Sequence, residues 1–215
     1  MNPIQREKLY EALAFFHSNV RNPGHIKLLK LVYYLDLAHF RMTGRTVTGL
    51  RYEAWPFGPV PPTVWAELQS PDSDIRQRFE VSAARQVEHD SDIPTIDSDE
   101  DSVTAQGPTV GWVPGQLRPL APFKHRFLSR KELGIADRLV EIFARAKASD
   151  MSEASHQRLG PWWNAWRRRS DDSRAFPEID LRDGEVGLGR TDDYLDDDTL
   201  REAIREAEQT NRILM

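Results

Sequence analysis

The chain has 215 residues, enough for one domain with a substantial core; 39% are hydrophobic and 29% charged, with net charge −5 and a pI near 5.7. It contains no cysteine, which excludes disulfides, thiolate nucleophiles and cysteine-ligated metal or iron–sulfur centres. The acidic balance also argues against nucleic acid as a partner.

The opening "MNPIQREKLYEALAFF" lacks the basic and apolar regions of a signal peptide. No apolar run approaches the roughly 20 residues that span a bilayer. The expectation is a cytoplasmic protein with no membrane partner. Asn2 as N-cap, Pro3 at the first helical position and Gln5 closing a capping box predict a helix from residue 3 to 20. Leu9, Ala12, Leu13, Phe16 and Val20 follow at helical spacing. Asn22-Pro23-Gly24 breaks it. "HIKLLKLVYYLDLAHFRM", residues 25–42, is apolar nearly all round and reads as a buried central helix, ended by Gly44. In residues 45–54, Leu50, Tyr52 and Ala54 alternate with charged neighbours, a short strand pattern.

The stretch "YEAWPFGPVPPTVW", residues 52–65, holds four prolines, one glycine and four aromatics. Pro56 and Pro59 restrict the backbone, Gly58 permits positive φ, and Pro61-Pro62 starts a helix carrying Val64, Trp65 and Leu68. Prolines can thus hold Trp55, Phe57 and Trp65 in place, either as a seal on the core or as an exposed binding ridge. Residues 70–127 are the least regular part; "TVGWVP" and "LRPLAPF" add one or two short strands. Residues 87–102 carry seven acids and no Lys or Arg, which reads as a solvated loop or as a lure for a basic partner. Ser129 with Glu132 caps a helix over 129–147, and a short helix near Ser149 leads into "SHQRLGPWWNAW". There Gly160-Pro161 breaks the chain before a Trp-rich helix ending in Arg167-Arg168-Arg169. Residues 170–191 read as loop. A last polar helix, about 198–213, follows the acidic "DDYLDDD".

No G-x-S-x-G, H-E-x-x-H, Walker-type or G-x-G-x-x-G pattern is present, and the six histidines are not spaced as a metal set. No enzyme activity, metal or cofactor is expected. Four local features carry chemistry at most. Asp36 and His39 share a helix face, where they orient an imidazole, satisfy each other or meet solvent. Lys30 in an apolar helix needs a partner, and Glu53 is the candidate. His156, near a helix end, bonds free carbonyls or belongs to a site. The three arginines favour a helix C-terminus or contact anions.

Three pieces in order resemble the Panacea domain of the SocA-like antitoxins, also described as phage-associated GepA-like proteins. The first is the K-L-x-K-L-x-Y-Y helix, here Lys27, Leu28, Lys30, Leu31, Tyr33 and Tyr34. The second is the E-A-W-x-x-G-P-V turn, here Glu53, Ala54, Trp55, Pro56, Phe57, Gly58, Pro59 and Val60. The third is a Thr-His followed by Pro-Trp, here Ser155, His156, Pro161 and Trp162. Ser155 replaces the usual threonine and keeps its hydroxyl. The resemblance covers about residues 5–169. It implies one domain, 1–169, with an acidic variable loop at 84–107, and a polar extension, 170–215, with a terminal helix.

It also implies an antitoxin that neutralises a toxin encoded beside it by direct protein–protein binding; the domain is paired with many unrelated toxins. The alternative in one branch is an adaptor that delivers the toxin to an ATP-dependent protease. Some members carry a separate DNA-binding domain; because the sequence begins within two residues of its first helix, no N-terminal helix-turn-helix is expected. The expected toxin contacts are Trp55, Pro56, Phe57, Gly58, Pro59 and Trp65. Lys30, Tyr33, Tyr34, Glu53, His156, Pro161 and Trp162 are expected to be structural. An enzyme using Lys30, Glu53 and His156 is the remaining reading. The expected fold is mainly α: helices 3–20 and 129–147 packed on 25–42, with a small antiparallel sheet from 45–54 and parts of 78–120.

Overall fold

The computed structural model describes residues 1–82, 85–88, 110–113, 115–156, 158–170, 175–184, 199–200, 202–203 and 205–206. Helix α1 (Pro3–Asn19) starts with the expected capping box: Asn2 accepts from the Gln5 amide, and Gln5 accepts from the Asn2 amide. Helix α2 (His25–Thr43) ends at Gly44, whose φ of 70° is the left-handed C-cap conformation. Strands β1 (Glu53–Trp55) and β2 (Gly58–Val60) form a hairpin. Helices α3 (Pro62–Gln69) and α4 (Ser73–Arg78) follow. Strands β3 (Phe79–Ser82), β4 (Arg85–Glu88), β5 (Val110–Val113) and β6 (Gln116–Pro119) form two antiparallel ladders, β3 with β6 and β4 with β5. Helix α5 (Arg130–Phe143) opens with the Ser129–Glu132 capping box, and α6 (Ala148–Ser155) and α7 (Pro161–Trp166) complete the series.

The fold is mainly helical with small antiparallel ladders, and α2 is its centre. From His25 to Ala38 all but one of its side chains are buried. Around it pack α1, α5, α6 and β2, so its apolar circumference is matched by apolar neighbours on each side. Among the described residues no helix is long and apolar enough to cross a membrane.

The chain from 45 to 52 departs from the expected strand. The alternation is real, since Leu50, Tyr52 and Ala54 are all buried. The backbone amides, however, are bound elsewhere. Asp36, fully buried in α2, accepts from the amides of Val47 (2.7 Å) and Thr48 (2.8 Å), the Thr48 hydroxyl and the Tyr52 phenol (2.7 Å). Burial raises the Asp36 pKa above the usual carboxylate range, and the four donors pull against that rise. A ladder cannot use amides that already serve a carboxylate, so strand pairing begins only at Glu53. His39 turns away from Asp36, its Nδ1 lying 2.7 Å from the Arg45 carbonyl.

Two further differences concern the middle and the end of the chain. The irregular region contains α4, capped by Asp72 accepting from the Ile75 amide. Residues 175–184 are tied to the hairpin: the Ala54 amide donates to Pro177 (2.9 Å), the Ile179 amide donates to Tyr52 (2.8 Å), and Ile179 and Leu181 are buried. Arg41 holds the same segment through the carbonyls of Asp183 and Gly184. Of the expected terminal helix, residues 199–200, 202–203 and 205–206 are helical; the remainder, like the acidic residues 89–102, lies outside the described residues.

Replacing Asp36 by Ala leaves two amides and two hydroxyls buried without a partner. The expected cost is about 3 kcal/mol or more in urea unfolding. Asp36→Asn keeps an acceptor for the two amides and should cost about 1 kcal/mol. Equal losses in the two variants would contradict the role assigned to the carboxylate.

Candidate functional site

Among the described residues the hairpin turn carries the most exposed large hydrophobic side chain. Its register pairs Trp55 with Gly58, leaving Pro56 and Phe57 as the turn. Phe57 is 78% exposed. Pro56 is exposed too, Trp55 and Trp65 are half-buried, and Gly58 and Pro59 are buried. The six expected contact residues therefore divide: the turn and the two tryptophans reach the surface, whereas Gly58 and Pro59 face inward. Pro59 sits opposite Ala54, whose amide binds Pro177 on the other side. The missing proline donor is not needed in that pair.

Phe57 projects because its backbone is gripped from below. The Lys30 ammonium donates to the Phe57 carbonyl at 2.5 Å, and the Ser152 hydroxyl, whose one proton is shared with the Ala148 carbonyl, lies 3.1 Å from the same oxygen. Gly58 has φ of 108°, and a Cβ at that position would collide with Lys30 Nζ and Ser155 Oγ. Glycine is thus required twice, by conformation and by space. Ser155 Oγ donates to the Ser152 carbonyl (2.7 Å). The His156 ring stacks on Trp162, with centroids 3.8 Å apart, and the Trp162 indole donates to the Trp55 carbonyl (3.0 Å). Helix α2, the turn and the α6–α7 corner meet at this point.

The sequence profile described as "Antitoxin SocA-like, Panacea domain" matches residues 28–163, more than half of the chain. The chain belongs to this family of antitoxins. No curated protein and no solved structure matches it.

Within this Panacea domain the remaining motif residues line the interior. Tyr33 packs edge-on against Tyr52 (5.2 Å), and Tyr34 stacks on Phe143 (5.0 Å). Pro161 is buried at the start of α7. The expected Lys30–Glu53 ion pair is not formed. Lys30 binds a carbonyl instead, and the Glu53 carboxylate accepts from the Trp55 indole at 2.9 Å. Nor does the His156 ring cap a helix. Its backbone amide, not its imidazole, bonds the last turn of α6.

Sequence reasoning missed Lys27. Its ammonium donates to the carbonyls of Arg21 (2.8 Å), Ala144 (3.3 Å) and Ala146 (2.7 Å), closing the C-terminal end of α5 onto α2. The two motif lysines thus do the same thing at two places: each binds backbone oxygen, for which no residue type is diagnostic.

The electrostatics fit this arrangement. Lys30 is 2% exposed and has no carboxylate beside it among the described residues. Burial pulls its pKa down from 10.5 to about 8. Burial, and then the charge of Lys30, holds His156 below the ordinary histidine range, so the imidazole is neutral where the ammonium is charged.

A lysine whose pKa is depressed by folding loses stability below its folded value and recovers it between that value and its unfolded one. From about pH 8 to pH 10 the protein should therefore become more stable. The Lys30 contribution approaches about 3 kcal/mol at the upper limit. Above pH 10 the trend reverses, because buried Tyr33 and Tyr34 are held above their ordinary range and ionise only when unfolded. Urea unfolding across this range should show the rise in the wild type. Lys30→Met should flatten it, leaving the smaller part due to Lys27, which is depressed in the same direction. An unchanged slope in Lys30→Met would disprove the assignment.

Proposed function

We propose that this chain neutralises a cognate toxin by direct protein–protein binding, and that the Pro56–Phe57 turn anchors the contact. The observation that carries the reading is an aromatic ring largely in water on an anchored backbone: Phe57 is 78% exposed while its carbonyl accepts from Lys30 and Ser152. A large side chain presented on rigid backbone binds with little loss of conformational freedom, and exposed aromatics are the usual anchors of protein interfaces. The half-buried Trp55 and Trp65, in edge-to-face contact at 5.9 Å, flank the anchor.

The chain acts as a binder and not as an enzyme. Lys30 and His156 resemble catalytic groups in composition and in their depressed pKa values, but Lys30 is nearly inaccessible and its ammonium already binds the turn. The partner is the toxin, taken as the product of the neighbouring reading frame.

Phe57→Ala should leave unfolding stability within about 0.5 kcal/mol of wild type. The same variant should weaken toxin binding by about 2 kcal/mol, roughly 30-fold, in calorimetry, and growth rescue on co-expression should fall in parallel. Rescue by the wild type should persist in cells lacking the ATP-dependent proteases. Full affinity in Phe57→Ala would remove the anchor, and loss of rescue in the protease-deficient cells would favour delivery to a protease over occlusion.

A further inference from the structure

Beside the turn runs a row of aromatic rings that the turn alone does not explain. Trp65 meets Trp55, and Trp55 meets Phe176 at 5.3 Å. The Arg169 guanidinium lies over both Phe176 (5.6 Å) and Trp166 (5.0 Å). Trp166 in turn stacks on the buried Trp162 at 5.3 Å and 12°. Trp55, Trp65, Trp166 and Phe176 are all half-buried, so each keeps an edge at the surface, and Arg169 is exposed. Residues from four places in the chain, the hairpin, α3, the α7 end and the following segment, thus build one continuous strip that starts next to Phe57.

Arg169 is the informative member. Its guanidinium lies within cation–π reach of both rings while the side chain stays exposed, so the N–H groups, which lie in the guanidinium plane, are open to an anion. That plane is the one that matches a carboxylate in a two-pronged hydrogen bond. Arg168, its neighbour, is paired with Asp183 at 2.8 Å. No described carboxylate pairs with Arg169 or with exposed Arg167.

We infer that this strip is the second half of the toxin-binding surface, and that it receives an acidic side chain set in an apolar patch of the toxin. The inference rests on the direct-binding reading above. Phe57 enters a pocket of the partner, and Arg169, placed beside Trp166 and Phe176, reads a carboxylate next to it. The aromatic edges exclude water around that pair, which raises the value of the charge contact relative to one made in solvent.

The test uses the full-length chain and the purified product of the neighbouring reading frame, with affinity measured by calorimetry at 0.05 and 0.5 M salt. Arg169→Glu should weaken binding by about 100-fold at low salt, and Arg169→Lys by about 10-fold, because lysine keeps the charge without the fork. Arg138→Glu, an exposed change on α5, should stay within about twofold of wild type. High salt should weaken the wild type more than Arg169→Glu. If wild type binds and Arg169→Glu binds equally well, the strip is not part of the interface, while the Phe57 reading stands. If wild type does not bind that product at all, the direct-binding reading falls first. Two other outcomes also overturn the inference. Tighter binding by Arg169→Glu would mean that the chain's own acids cover the strip. Binding of a fluorescent single-stranded oligonucleotide, abolished by Arg169→Glu, would mean that the rings stack on bases.

Discussion

A carboxylate buried in an apolar helix needs donors, and the nearest supply decides how the next segment of chain must run. Asp36 draws in the amides of Val47 and Thr48, the Thr48 hydroxyl and the Tyr52 phenol. The chain leaving α2 therefore cannot extend as a strand; it folds back over the helix until Tyr52 has reached the carboxylate. Six residues earlier on the same helix, Lys30 takes the carbonyl of Phe57. Two polar groups on one apolar helix thus fix both ends of the stretch from 47 to 57. The position of the hairpin relative to α2 follows from that pair of constraints more than from its own short ladder.

The hairpin is then finished from outside the part of the chain that resembles the family. The amide of Ala54 and the carbonyl of Tyr52 are both satisfied by the segment at Pro177–Ile179, which lies beyond the matched residues 28–163. Pro59 can occupy β2 because the pair it forms with Ala54 needs no donor from it. The same segment carries Phe176 against Trp55. One short stretch therefore closes the sheet edge that would otherwise be open and extends the aromatic surface.

What could be read from the sequence was what depends on near neighbours. The capping boxes at Asn2–Gln5 and Ser129–Glu132, and the left-handed Gly44, are signals within four residues, and each helix boundary they mark was recovered. The prolines and Gly58 located the turn. The three motifs pointed to the family without showing that they meet. The strand at 45–54 misled because side-chain alternation records which faces are buried, not what the amides bind. Lys30 misled for a related reason. A buried ammonium called for a carboxylate, and Glu53 was the acid at hand, but carbonyl oxygens serve equally well and every residue has one. Helix α4, six residues long, is too short for periodicity to register. The strip through Arg169 joins residues more than a hundred positions apart, and no local pattern announces it.

Gripping a carbonyl has a consequence for position 57 itself. Lys30 and Ser152 hold an atom that is the same whatever side chain is attached, and the Phe57 ring makes no demand on the core. Gly58 cannot change, because both its φ and the space around it require glycine. Residue 57 is therefore structurally unassigned at a site whose backbone is rigid. Such an arrangement separates the scaffold from the side chain it presents: α2, Gly58 and the α6–α7 corner keep the tip in one place, and the side chain at the tip can be exchanged at little cost to folding. If the turn is the toxin contact proposed above, a tip held by its backbone and not by its side chain is the physical condition that would let the same scaffold carry a different side chain to a different partner.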